Sequence, residues 1–207
     1  MHSHIHEISD SITSIIEVRH ESVVALTEYA RIAIAFEVNE VFDVATSLES
    51  QFTLTPRQLP VPYVKDYDSI DSPADWSQRF DISKWAFFSA FAEGQRLGGA
   101  TVAYDTAGLD MLEGRTDVAV LWDIRVAAFT RRRGLGTALF SAAAAWALGN
   151  GCRELRVETQ NINVAACRFY ARQGCVLRTA RKAAYPGLAD EVQLLWYKNL
   201  GCAIAAD

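Results

Sequence analysis

Apolar positions recur along the chain in two rhythms. Residues 85–92 (WAFFSAFA) and 118–126 (VAVLWDIRV) are short, almost charge-free runs, the pattern of strands buried on both faces. Weaker runs of the same kind at 13–19, 32–44, 99–104, 154–158, 175–179 and 192–197 predict further strands. The segments 20–29, 134–148 and 163–173 instead read as helices. The run SAAAAWAL favours helix, and Gly149-Asn150-Gly151 ends it. Residues 93–98 turn the chain as a hairpin. Residues 55–75 hold Pro56, Pro60, Pro62 and Pro73 among several acids and predict a long loop, a frequent source of lids and substrate walls. Residues 105–116 predict a second loop. Strands with interspersed helices and no internal repeat imply an α/β (α+β) fold with a mixed sheet.

The 207 residues suit one sizeable domain, expected over 13–200 with tails at 1–12 and 201–207. His2, His4 and His6 alternate in the first tail, and a mobile end explains them better than a metal site. A net charge of −5 argues against a nucleic-acid binder. No apolar run approaches the roughly 20 residues that cross a bilayer, so no membrane partner is expected. The opening MHSHIHEISDS lacks the pattern of a secretory signal. Cys152, Cys167, Cys175 and Cys202 form no CxxC pair, so reduced thiols in a cytoplasmic protein are expected, with Cys167 and Cys175 as packing residues.

Charge is segregated. Residues 119–181 carry ten arginines and three acids (Asp123, Glu154 and Glu158), a local charge of 10 − 3 = +7. The rest of the chain is then at −5 − 7 = −12. Such a division suits a polyanionic cofactor on one side and a cationic substrate on the other, and equally a bland surface.

The strongest local feature is the turn Arg131-Arg132-Arg133-Gly134-Leu135-Gly136, between a buried strand and an alanine-rich helix. Glycine lets backbone approach a ligand. The helix start offers unpaired N–H groups and a positive dipole end, a natural anion site, and arginine adds forked donors. The turn is neither a P-loop nor a GxGxxG fingerprint. Alone, RxxGxG is a weak pattern that solvated arginines at a glycine helix start explain as well. A second motif follows, Asn163-Val164-Ala165-Ala166-Cys167-Arg168-Phe169-Tyr170-Ala171-Arg172-Gln173-Gly174. Asn163 reads there as a helix cap, and Tyr170, alone, as an ordinary core tyrosine.

Together, strand, RxxGxG, helix, strand and N-x-x-A-x-x-F-Y-x-x-x-G resemble the GCN5-related N-acetyltransferase superfamily over residues 85–197. The resemblance implies a mixed, mostly antiparallel sheet splayed at its centre, flanked by helices, with acetyl-CoA in the gap. It implies that the backbone amides of Arg131, Arg132, Arg133, Gly134, Leu135 and Gly136 hold the pyrophosphate, with Thr137 also among the cofactor-binding residues. The backbone of Ile124, Arg125 and Val126 would pair with the pantetheine arm, and Asn163 would contact the cofactor. A narrower resemblance, to streptothricin acetyltransferases, rests on residues 39–44 (NEVFDV), 63–67 (YVKDY), 157–167 (VETQNINVAAC), Asp190-Glu191-Val192 and Trp196-Tyr197. It implies acetylation of an amine in the β-lysine part of a cationic antibiotic. Trp122 stands before Asp123 where many relatives have Glu, and Cys175 stands where Phe is usual.

The implied reaction is direct acetyl transfer to a primary amine. Such an amine is mostly protonated at neutral pH, so a base must take its proton. Asp123 and Glu158 are the acidic candidates, and sequence alone does not decide between them. Either could instead clamp substrate or pair with arginine. A main-chain N–H near Val126 would stabilise the thioester oxygen, and Tyr170 would protonate the departing thiolate. Glu40, Asp43, Asp66, Asp68 and Glu158 are the acids expected along the substrate route. The aromatics Tyr63, Tyr67, Trp122 and Trp196 could face a cationic group, with core burial the simpler fate of the two tryptophans. Acetylation of a polyamine, amino acid or protein lysine, or acetyl-CoA sensing without turnover, are the competing readings. A homodimer would be an ordinary assembly.

Overall fold

The computed structural model describes residues 15–46 and 51–201. The expected tail at 1–12 and the residues from 202 onward lie outside the described residues. In chain order the elements are β1 (Glu17–Glu21), α1 (Leu26–Tyr29), β2 (Phe36–Thr46), β3 (Phe52–Lys65), α2 (Trp76–Arg79), β4 (Ala86–Ala92), β5 (Gln95–Tyr104) and β6 (Val118–Val126). They continue with α3 (Leu135–Gly149), β7 (Glu154–Gln160), α4 (Val164–Arg172), β8 (Val176–Arg181) and β9 (Gln193–Asn199).

Seven strands form one sheet in the order β1-β4-β5-β6-β7-β9-β8, and β2 and β3 form a separate ribbon. Within the large sheet β6 and β7 are the parallel pair, flanked by antiparallel neighbours. The strongly apolar runs β4 and β6 lie inside the sheet, as their composition requires. Helix α3 buries Leu135, Leu139, Phe140, Ala143 and Ala147 on one face. Its small residues let it sit close against β4, β5 and β6.

The centre of the sheet opens. Pairing between β6 and β7 runs from Val118↔Glu154 to Leu121↔Val157 and stops there. On β6 the register against β5 jumps from Leu121↔Val102 to Asp123↔Thr101, so Trp122 is the extra residue of a β-bulge. Beyond this point β6 stays on β5 while β7 stays on β9, and the two diverge into a fork. The mixed, mostly antiparallel, centrally splayed sheet expected from the motifs is therefore present.

Residues 55–65 correct the sequence reading. They are not loop but most of β3, paired with β2. Pro60 and Pro62 fall within the register break between Val38↔Tyr63 and Glu40↔Gln58, where no ladder bond is required of them. Pro56 lies opposite Phe42, whose N–H donates to the Asn161 carbonyl and whose carbonyl accepts from Asn161 Nδ2. Phe42 thus turns its polar groups away from β3, and Pro56 across from it needs no N–H. The helix expected over 20–29 is confined to a short 3-10 turn and α1.

Asn161 stitches the ribbon to the sheet. Its N–H donates to the Val192 carbonyl, and its side chain accepts from the Val192 N–H while donating to Phe42. The ribbon is thereby held beside the start of α4.

Candidate active site

A cleft of about 1420 Å³ follows the fork, and its walls run from the turn before α3 to the loop between β8 and β9. At one end lies the arginine–glycine turn. Arg132 and Gly134 both take left-handed backbone conformations, with φ of 65° and 91°. Alternating conformations of this kind aim successive N–H groups inward as an anion-binding concavity. No side chain caps α3, and Ala138 is the first residue of this helix end whose N–H meets a backbone carbonyl, that of Gly134. The preceding N–H groups are left for a ligand, which is what a diphosphate needs.

Arg132, Gly134, Leu135, Gly136 and Thr137 line the cleft. Arg131 lines it too, but its guanidinium is anchored on the carbonyls of Val126 and Ala35, so it braces the turn. Arg133 is outside the lining, because the turn points it to solvent. Asn163 Oδ1 accepts from the Ala166 N–H, the cap foreseen from sequence, and the residue also faces the cleft. Arg168 and Arg172 lie in the lining as well and were not singled out by motif.

Ile124, Arg125 and Val126 line the β6 arm. The Arg125 side chain is fully buried and makes the densest polar contacts of the site. It donates to both Asp123 oxygens at 2.9 and 2.7 Å, to both Asp68 oxygens at 3.2 and 3.0 Å, and to the Ile32 carbonyl at 3.0 Å. Its guanidinium also lies over the Tyr29 ring. Tyr29 in turn donates to Asp123 Oδ1. The Tyr29 ring packs on Gly99, where a Cβ would come within 2.3 Å of it. Asp123 is thus neutralised and held from two sides. Trp122, beside it, lines the cleft and packs edge-on against Phe80 and obliquely against Trp85.

Glu158, on the β7 arm, is held differently. Its Oε1 accepts from the Tyr185 hydroxyl at 2.6 Å and its Oε2 from Gln193 Nε2 at 2.8 Å. Five carboxylates line the cleft. Asp68 and Asp123 pair with Arg125, Asp71 with Arg79, and Glu191 with Lys65 at 2.5 Å. Among the described residues, Glu158 is the lining carboxylate without an ion-pair partner.

Tyr170 is buried on α4 beneath the fork and faces the cleft. Burial, reinforced by the charge of Asp123, pushes its phenol well above its ordinary pKa, so it carries its proton at any working pH. Burial likewise pushes the Cys167 thiol up to about 11, which fits packing rather than nucleophilic attack.

Several expected substrate contacts are not in the lining. Glu40 pairs with Arg168 at 2.9 Å, and Asp43 pairs with Arg57 across the ribbon at 3.0 Å. Asp66 accepts from the Asp68 N–H within its own turn. Each is occupied by a neighbour that strand pairing or the turn brings to it. Tyr63 is half exposed on the ribbon outside the lining, and Trp196 is buried with its indole N–H donating to Thr159. Tyr67 does reach the cleft and donates to Glu191. Tyr185 and Glu191 also escaped the sequence reading. Tyr185 sits in a polar stretch with no pattern to mark it, whereas Glu191 lay within the Asp190-Glu191-Val192 block.

Comparison with known proteins agrees with this geometry. The family model for the acetyltransferase (GNAT) family matches residues 50–175. Streptothricin acetyltransferase A of Bacillus subtilis (strain 168) is 31% identical over 148 residues, covering 70% of this chain and 79% of the relative. A streptothricin acetyltransferase of Escherichia coli is 31% identical over 165 residues, covering 78% and 84%. A crystal structure of a Bacillus anthracis str. Ames protein in complex with acetyl coenzyme A superposes with a TM-score of 0.72. It is 25% identical and covers 89% of this chain and 99% of its own. The chain belongs to the acetyltransferase (GNAT) family and is an acetyl-CoA-dependent N-acetyltransferase.

Proposed function

We propose that the protein acetylates a primary amine of a small cationic substrate of the streptothricin type by direct transfer. The carrying observation is Glu158, the carboxylate of the cleft wall that has hydrogen-bond donors but no cation beside it among the described residues. A half-buried carboxylate in a cleft with no cation beside it is a natural partner for a substrate ammonium. The names of the curated relatives favour streptothricin as the amine.

Bound acetyl-CoA supplies an activated acyl group. The N–H groups of the turn at 132–137, with the side chain of Arg132, hold its diphosphate, and Asn163 borders the same end of the cleft. Glu158 takes a proton from the substrate ammonium, directly or through water, and so frees the nitrogen lone pair. A main-chain N–H near Val126 receives the charge that grows on the carbonyl oxygen. As the carbon–sulfur bond breaks, Tyr170 donates its proton to the sulfur; the second proton shed by the attacking nitrogen restores the phenol through solvent, and Glu158 passes its own proton to bulk water. Asp123 has no part in proton transfer, because Arg125 and Tyr29 already occupy both its oxygens. Asp68 and Asp71 shape the substrate wall.

The test is release of free thiol from acetyl-CoA in the presence of streptothricin, spermidine or lysine peptides. Release with streptothricin is expected to exceed the others. Release with spermidine or peptide alone would replace the substrate, and tight acetyl-CoA binding without release from any amine would overturn the enzymatic reading of the site.

A further inference from the structure

The loop between β8 and β9 is folded back on itself. The Leu188 N–H donates to the Tyr185 carbonyl, and the Glu191 N–H donates to the Leu188 carbonyl. These two turns bring Tyr185, Leu188 and Glu191 to the cleft wall together. Glu191 is fixed to the opposite wall by Lys65 and Tyr67. Tyr185 is fixed at Glu158.

The hydrogen bonding at Tyr185 has a direction. Gln160 Nε2 donates to the Tyr185 oxygen at 2.9 Å, so the hydroxyl proton is turned toward Glu158 Oε1 at 2.6 Å. Burial pushes this phenol well above its ordinary value, the charge of Glu158 adding to the effect, so it remains a donor. Gln193 donates to the other oxygen. Glu158, Gln160 and Gln193 are on adjacent antiparallel strands, whose register fixes their spacing. Tyr185 is the member of this set supplied by the loop.

We propose that Tyr185 is a positioning residue for the reaction: its hydroxyl, aimed by Gln160, holds the Glu158 carboxylate in one orientation toward the substrate ammonium. The inference rests on the reading of Glu158 given above. It adds that the β8–β9 loop sets amine recognition through a single hydroxyl. Without that hydroxyl, Glu158 keeps only Gln193 and turns more freely, and an ordering cost then falls on substrate binding.

The experiment measures KM for the amine with the fastest thiol release among streptothricin, spermidine and lysine, together with the Kd for acetyl-CoA. Tyr185→Phe keeps the ring and removes only the hydroxyl. It is expected to raise the amine KM about tenfold, the effect of losing one hydrogen bond to a charged group, and to leave the acetyl-CoA Kd unchanged. On a Glu158→Gln background the same substitution is expected to change the amine KM less than about twofold, since the group it acts through is gone. An unchanged KM in the single variant, or the same tenfold rise on the Glu158→Gln background, overturns the proposal. Full turnover by Glu158→Gln alone would instead remove Glu158 from its role, a separate failure. Gln160→Leu, which frees the hydroxyl without deleting it, is expected to raise the amine KM about threefold and serves should Tyr185→Phe not fold.

Discussion

The two arms of the fork each bring one acid to the cleft, two residues past the last shared pair on β6 and one past it on β7. On the β6 arm Asp123 meets Arg125 and Tyr29 and becomes part of the frame. On the β7 arm Glu158 meets only neutral donors. Both are carboxylates within two residues of the fork point. What separates them is which residues fold against each arm. A carboxylate already paired stabilises the protein, and one left unpaired in a cleft is where chemistry can be done.

The contrast breaks most directly at Glu158. Glu158→Gln is expected to lower kcat/KM for the amine about a thousandfold, within the range for loss of a general base, with acetyl-CoA affinity retained. Full activity would end the contrast. Asp123→Asn is expected to do the opposite, costing about 3 kcal/mol of folding stability in denaturant titration because it leaves Arg125 buried with less charge compensation. A stable but inactive Asp123→Asn protein would exchange the roles of the two acids. Tyr170→Phe sharpens the picture from below the fork: turnover should drop about a hundredfold while the acetyl-CoA Kd, measured by calorimetry, changes little. Gly134→Val probes the far end of the cleft. Valine is strained at a φ of 91°, so acetyl-CoA should bind about tenfold more weakly. Unaltered binding would show that the turn does not hold the donor.

Much of the frame was legible in the chain. The strongly apolar runs at 85–92 and 118–126 are best satisfied inside a sheet, and β4 and β6 are there. Asn163 could be read as a cap because capping is a contact with a residue three positions on. The prolines of 55–65 misled, because their harmlessness in β3 depends on a register break opposite and on Asn161 far along the chain. Glu40 and Asp43 were sensible as acids for a cation, yet Arg168 and Arg57 already claim them. Tyr185 gave no signal at all, since its contact with Glu158 is a hydrogen bond from a loop to another strand.

The chain alone determined what depends on neighbours in sequence: the strand and helix rhythm, the glycine-permitted bend with its unpaired N–H groups, and the tyrosine two residues from the end of α4. These follow from backbone sterics and local hydrogen bonding, which operate over a few residues. The fold alone decided which acid is free. Asp123 accepts from Tyr29, 94 positions away, and Glu158 accepts from Tyr185, 27 positions away. Electrostatic pairing acts through space, so only the packed chain could assign it.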